Sequence, residues 1–312
     1  MRIALIPPHS FRPPPFYYPA LQLVADSSID QADIAIVIVE DESRWSLDEV
    51  AFRIIKERRT PVVFVDPHDY NFYQHTEESI LAESWFGAVN SETVHGLRRV
   101  RQFYHEVRDL GLDWLVFKLW SYQGLQHDKI VPLAPCVCAP VFSEETYDQY
   151  NARPYDVMFV GNSCPQREAA CKAFQDSGLN VWFELYRQGP SFNRRLYSQP
   201  DWFNLHAKSR CFLETGAGAQ GSARPFELGT LSLMVRQQDS VSWPYDWDKN
   251  SSFIEIGEAL KPLTKDQVQS IIPILNDREG CYQRYLNGRR DALQFTPEKT
   301  AEYILQNIQS RL

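Results

Sequence analysis

The sequence predicts an α/β protein made of two parallel-sheet domains, and three observations carry that expectation. Continuous apolar runs such as ADIAIVIVE, from Ala32 to Glu40, have the composition of strands covered on both faces. These runs alternate with stretches of helical period such as SLDEVAFRIIKERR from Ser46, and alternation of this kind builds parallel sheets through crossover helices. The 312 residues suffice for two domains of about 150 residues, each able to bury its own core.

Taken in order, RIALIP forms a first strand over Ile3 to Ile6 and breaks into PPHSFRPPPFYYP. Loops leaving the carboxyl ends of strands line the ligand crevice of open α/β sheets. His9, Arg12 and Tyr17 are therefore candidates to face an acceptor, the alternative being a rigid loop whose aromatics only cover the sheet. The second strand ends in Glu40, Asp41 and Glu42, and the helix after it has Ser46 as N-cap with Glu49 as capping-box partner. TPVVFVDPHDYNFY supplies a third strand, with Asp66, His68 and Asp69 just past its carboxyl end. Two carboxylates around an imidazole suit a general base near neutral pH, whereas Asp-Pro by itself also makes a turn. Ser91 to Leu110 has helical period and a basic side of Arg98, Arg99, Arg101, His105 and Arg108. That side is either a solvated face or a contact for acceptor phosphates, with Arg98 and Arg101 as the contact candidates. DWLVFKLW and KIVPLAP are further strands, and APVFSEETYDQYNARP reads as the interdomain linker.

The second half opens with the strand YDVMFVG, a turn of Gly161, Asn162 and Ser163, and a helix with Pro165 in its first turn and Gly178 at its end. LNVWFELYR delivers Tyr186 and Arg187 to the next loop, where Tyr186 suits stacking on a base or packing in the core. The segment from Ser209 to Arg236 organises this half. A strand over Cys211 to Leu213 runs into a loop holding Gly216, Gly218 and Gly221, then a helix capped by Ser222 that carries Arg224 and Glu227 and stops at Gly229. A strand from Leu231 to Val235 follows. Glycines between a strand and a helix let backbone N–H groups approach an anion, so the loop is a candidate diphosphate seat. Arg224 and Glu227 share a helical face, a guanidinium for phosphate beside a carboxylate that accepts from ribose hydroxyls, or else a plain surface ion pair. Asp246 and Asp248 form a D-x-D that reads as a solvated loop, and closing helices run over Lys265 to Leu275, Glu279 to Leu293 and Pro297 to Ile308.

The segment RPFELGTLSLMV resembles the nucleotide-sugar-binding segment of GT-B glycosyltransferases, especially the spore-maturation-protein-like family, with Arg224 and the Phe226-Glu227 pair opening its helix. YDVMFVGNSCPQREAACKAF and GCYQRYLNGRRDAL are similar to the first strand, turn and helix and to the penultimate helix of that family's second domain. The resemblance covers roughly the last half of the chain. It implies GT-B architecture: two Rossmann-like domains whose parallel sheets face an interdomain cleft, over residues 1–145 and 146–296, with a helix over 297–312 crossing back to the first. It further implies transfer of a sugar from a nucleotide diphosphate donor, a UDP-sugar foremost, to a hydroxyl acceptor without a metal or other cofactor. Gly161, Asn162, Arg224 and Glu227 carry over by motif as donor-side residues, with loop amides around Gly218 and Gly221. Retaining members place a second glutamate eight positions before the ribose-binding one; Ala219 stands there, which favours inversion with Asp69, Asp66, His68 or His9 as base. The acceptor is a glycan, a small molecule, a protein side chain or, as in phage enzymes, a hydroxymethylated DNA base. A nucleotide-sensing module of the same fold is the non-catalytic alternative.

Composition narrows this further. Residues 1–150 hold 13 Lys+Arg against 22 Asp+Glu, and the remainder 19 against 18, so the donor half is near neutral and the other half acidic. An acidic half is a poor match for a long polyanion, though a local basic patch is compatible with it. Six scattered cysteines, with only Cys136 and Cys138 close together, read as reduced thiols rather than a zinc site. With no run of about 18 apolar residues and a proline-rich start, the expectation is a soluble cytoplasmic protein.

Overall fold

The computed structural model describes residues 1–7, 17–39, 49–66, 91–119, 128–137, 145–186, 199–215, 224–238, 247, 251–258 and 261–312. The chain forms two compact units, one of Met1–Cys136 with Thr296–Leu312 and one of Val137–Phe295.

The first unit holds β1 (Ile3–Ile6), α1 (Tyr18–Val24), β2 (Ile34–Ile38), α2 (Glu49–Arg58), β3 (Val62–Asp66), α3 (Ser91–Asp109), β4 (Trp114–Lys118) and β5 (Ile130–Pro132). The strands pair in parallel in the order β1-β2-β3-β4-β5. All five residues of β2 and of β3 are buried, as continuous apolar runs require when both faces are covered. Ile34, Ile36, Ile38, Val63, Val65 and Phe117 share one face with α1 and with the closing helix of the chain, through Leu21, Ile304 and Ile308. Ala35, Val37, Phe64 and Val116 share the other with α2 and α3, through Ile55, Phe103 and Tyr104. The last helix thus belongs to the first unit even though the chain reaches it after the second.

The second unit holds α4 (Tyr147–Asn151), β6 (Tyr155–Asn162), α5 (Pro165–Gln175), β7 (Val181–Tyr186), α6 (Gln199–His206), β8 (Ser209–Glu214), α7 (Arg224–Leu228), β9 (Leu233–Gln238), β10 (Phe253–Glu258), α8 (Lys265–Asn276) and α9 (Arg278–Ala292). The closing helix, Pro297–Arg311, is α10. The second sheet is also parallel, in the order β10-β9-β8-β6-β7. Val157, Phe159, Cys211, Leu213 and Val235 pack on one face against α5, α8 and α9, through Phe174, Val268, Ile271 and Tyr285.

Several expectations need correction here. The stretch taken as a linker contains α4, opened by a full capping box between Thr146 and Gln149. Tyr150 of α4 is completely buried, stacks on Tyr285 at 4.8 Å and donates to the carbonyl of Arg210. Arg153 lies over both rings and pairs with Glu145 at 2.6 Å, so this segment is structure of the second unit. The helices α1 and α6, of seven and eight residues, were not anticipated, being too short to show a period. The expected caps Ser46 and Ser222, and the pair Asp246 and Asp248, lie outside the described residues. Among the described residues no helix is long and apolar enough to cross a membrane.

Candidate functional site

The order of the second sheet reverses once. From β6 the chain moves outward to β7, then returns to the opposite side of β6 to lay down β8, β9 and β10. In open α/β sheets ligands bind outside the carboxyl ends of the strands at such a reversal. Here the reversal lies between the carboxyl ends of β6 and β8, flanked by Gly161 and Asn162 on one side and by Glu214 and Thr215 on the other.

Arg224 reaches this point. It is the first residue of α7, and its Nη2 donates to the carbonyl of Val160 at 3.0 Å. Its guanidinium lies 4.5 Å from the centre of the Phe159 ring, and its Nη1 is 3.9 Å from Oε2 of Glu214. A Cβ on Gly161 would stand 2.5 Å from that Nη2 and 3.1 Å from the Phe159 ring, so a larger residue at 161 would displace the guanidinium from its place across the end of β6. The reason is close approach rather than an unusual backbone angle.

A second guanidinium, which sequence reasoning passed over, comes from α5. Arg167 lies 5.4 Å from the same Phe159 ring. It sits three residues after Cys164, the N-cap of α5, on the helix that Gly161, Asn162 and Ser163 lead into. Two arginines therefore meet one aromatic ring on β6, and the carboxylate of Glu214 stands 3.9 Å from one of them. Arginine in this setting grips phosphate oxygens through planar paired donors. Glu227 is half-buried on α7, one helical turn from Arg224, while the Ser163 hydroxyl is already engaged with the Glu168 carboxylate.

The charges continue across the sheet on the face of Glu214. Arg236 stands opposite Glu214 in the β8–β9 register, and Glu255 opposite Arg236 in the β9–β10 register. Burial holds the pKa of Arg236 down at about 10, against the upward pull of Glu214 and Glu255. His206, at the end of α6, is 1 % exposed, and its ring meets that of Trp202 edge to face with the centroids 4.4 Å apart. Burial pushes its pKa down to about 3, with the positive charge of Arg224 adding to the effect, so the imidazole is neutral. Burial likewise pushes the Cys171 thiol up to about 12, opposed by Arg167 and Arg224.

Other sequence candidates fall elsewhere. Phe226 is wholly buried, edge-on to Trp247 at 5.9 Å and to Phe295 at 5.2 Å; it seats α7 in the core and offers a ligand nothing. Tyr17 is also wholly buried, among the side chains that join α1 to the first sheet, so it does not face an acceptor. Asp66 is the last residue of β3 rather than part of a loop, 0 % exposed and 2.6 Å from Nζ of Lys118, itself 0 % exposed. A carboxylate enclosed with a lysine in this way is not available to take a proton from an acceptor hydroxyl. Arg98 is exposed and Arg101 half-buried on α3, apart from the Phe103, Tyr104 and Val107 side that packs on the sheet. His9, Arg12, His68, Asp69, Arg187, Gly218 and Gly221 lie outside the described residues, as do the side chains of Asn162 and Tyr186. Among the described residues no group of three His, Cys, Asp or Glu side chains is placed to hold a metal ion.

No family model matches the chain, and no curated protein matches its sequence. Solved structures do match in shape. HepE of Anabaena in complex with UDP and glucose superposes with a TM-score of 0.55 at 10 % identity, covering 99 % of this chain and 100 % of that one. The same protein in complex with UDP gives 0.53 at 11 % identity with the same coverage. TarM gives 0.52 at 12 % identity, and the match covers 88 % of this chain but only 55 % of TarM, so the chain spans about half the length of that structure. At these identities the likeness is one of fold: two five-stranded parallel-sheet domains in the GT-B manner.

Proposed function

We propose that the protein is a glycosyltransferase that transfers a sugar from a nucleotide diphosphate donor, a UDP-sugar foremost, to a hydroxyl acceptor. The observation that carries this reading is the pair of guanidiniums, Arg167 and Arg224, that meet the Phe159 ring beside the switch point of the second sheet, where Gly161 leaves room for Arg224. A diphosphate leaving group develops charge as the glycosidic bond breaks, and two fixed cations there stabilise it more in the transition state than before. Glu227, a turn along α7, takes the ribose hydroxyls. The Arg-x-Phe-Glu pattern of α7 also supports the narrower likeness to the spore-maturation-protein-like family.

Two arginines at the leaving group supply the positive charge that a divalent ion provides in other transferases, and the reaction is therefore proposed as metal-independent. Ala219 in place of a second carboxylate speaks against retention, and the inverting path proposed here requires a base, for which Asp69, His68 and His9 remain once Asp66 is set aside. UDP bound in the solved neighbour from Anabaena supports the choice of donor base. The acceptor is proposed no more narrowly than a hydroxyl.

The test is calorimetric titration with UDP, GDP and ADP, followed by donor hydrolysis. Wild-type protein binds one diphosphate and releases it slowly from the sugar conjugate, with EDTA making no difference. Arg224→Lys and Arg167→Lys each lower affinity at least about tenfold, because an ammonium does not reproduce a planar two-point grip. Binding without any hydrolysis identifies a nucleotide-sensing module instead, and no diphosphate binding at all overturns the reading.

A further inference from the structure

We propose that Glu214 and Thr215 form the subsite for the hydroxyl groups of the transferred sugar, selecting neutral polyhydroxylated sugars over those bearing a carboxylate. This rests on the donor reading above.

The two residues close β8 on the second flank of the switch point, across from Gly161. Glu214 is 4 % exposed and Thr215 1 %. Oε2 of Glu214 and Oγ1 of Thr215 are both closed off from solvent, and among the described residues neither has a hydrogen-bond partner. Counter-charge is not what Glu214 lacks, since Arg236 stands opposite it in the sheet and Nη1 of Arg224 is 3.9 Å from Oε2. That separation supports an ion pair and exceeds a hydrogen bond. Counter-charge is therefore at hand while the buried oxygen still wants a donor, an arrangement that costs free energy unless a ligand completes it.

The chemistry of the missing partner follows. A diphosphate brings only acceptors and negative charge, and belongs on the far side of Arg224 from Glu214. A sugar hydroxyl brings an O–H to the carboxylate and a second hydroxyl or its oxygen to Thr215, whose own hydroxyl donates or accepts. Arg224 connects the two halves, touching Val160 and Phe159 on the diphosphate side and Glu214 on the other. A uronic acid would set its carboxylate against Glu214, and buried like charges repel strongly. Sites built to hydrogen-bond a hydroxyl discriminate well, because the wrong ligand leaves buried groups unpaired.

The experiment compares nucleotide with nucleotide sugar. UDP, GDP and ADP are titrated by calorimetry into wild-type protein, and the one that binds is carried forward as the free diphosphate, its glucose conjugate and its glucuronate conjugate. Glu214→Gln and Thr215→Val are then measured with all three. Thr215→Val is nearly isosteric and keeps the question answerable if Glu214→Gln does not fold. The expected result is that each variant binds the glucose conjugate at least about tenfold more weakly while holding the free diphosphate within about threefold. Glu214→Gln is further expected to bind the glucuronate conjugate at least about tenfold better than wild type does. Equal losses for diphosphate and conjugate overturn the proposal, because Glu214 would then act only by holding Arg224. Unchanged binding of the glucose conjugate in both variants overturns it as well. Wild-type protein that binds none of the diphosphates fails the donor reading itself, whereas wild-type protein that binds a diphosphate with no distinction between glucose and glucuronate fails only this subsite.

Discussion

His206 makes stability in mildly acidic solution depend on a single buried ring. The imidazole is 1 % exposed, lies against Trp202, and among the described residues neither ring nitrogen has a hydrogen-bond partner. Its pKa falls from 6.5 to about 3, first through burial and then through Arg224. Because the folded pKa is the lower one, the unfolded chain binds the proton more readily. Stability is therefore complete above about pH 6.5 and declines as pH falls towards 3, by about 1.4 kcal/mol per unit. Integrated between pH 7.5 and pH 4.5, the loss is about 2.6 kcal/mol, and it is nearly the same for any folded pKa below about 4. His206→Leu removes the titration while keeping an apolar side chain of similar volume. Urea unfolding followed by tryptophan fluorescence at the two pH values gives the comparison, since every other titrating group is common to both proteins. Wild type should lose about 2.6 kcal/mol more than His206→Leu over this interval. Equal losses in the two proteins would refute the reasoning and mean that His206 titrates normally in the folded state.

Gly161→Ala should weaken diphosphate binding at least about tenfold with an accompanying stability loss of about 1–3 kcal/mol, because the added methyl falls on Arg224 and Phe159; unchanged calorimetric affinity would show that the guanidinium has room to spare. Lys118→Met leaves Asp66 buried with its lysine gone and should cost about 3–5 kcal/mol in urea unfolding, with Asp66→Asn on top of it recovering most of the loss. A cost near zero would mean that Lys118 does little for Asp66. Asp69→Asn should lower turnover about 10²-fold or more with donor affinity nearly constant, since a general base acts only in the transition state. Full turnover in that variant moves the test to His68 and His9.

The alternation of apolar runs and helical stretches was enough, from the residues alone, to establish an α/β fold with parallel sheets. Strands such as Val62–Asp66 are buried on both faces, and that condition writes itself locally as consecutive apolar residues. The long closing helices were also legible, because ten or more residues display a period and Thr264 and Thr296 cap their starts visibly. Arg224 was legible as a candidate because its motif is short-range, a helix start after a glycine-rich loop. What lay beyond sequence is what depends on packing between segments far apart in the chain. Phe226 is adjacent in sequence to the ribose candidate, and only its contacts with Trp247 and Phe295 assign it to the core. Asp66 has the look of a catalytic carboxylate until β4 places Lys118 beside it, 52 residues on. Arg167 and Glu214 carry no motif; they became candidates only because the β7-β6-β8 order sets the reversal beside β6 and β8, and strand order is a long-range property that no local pattern encodes.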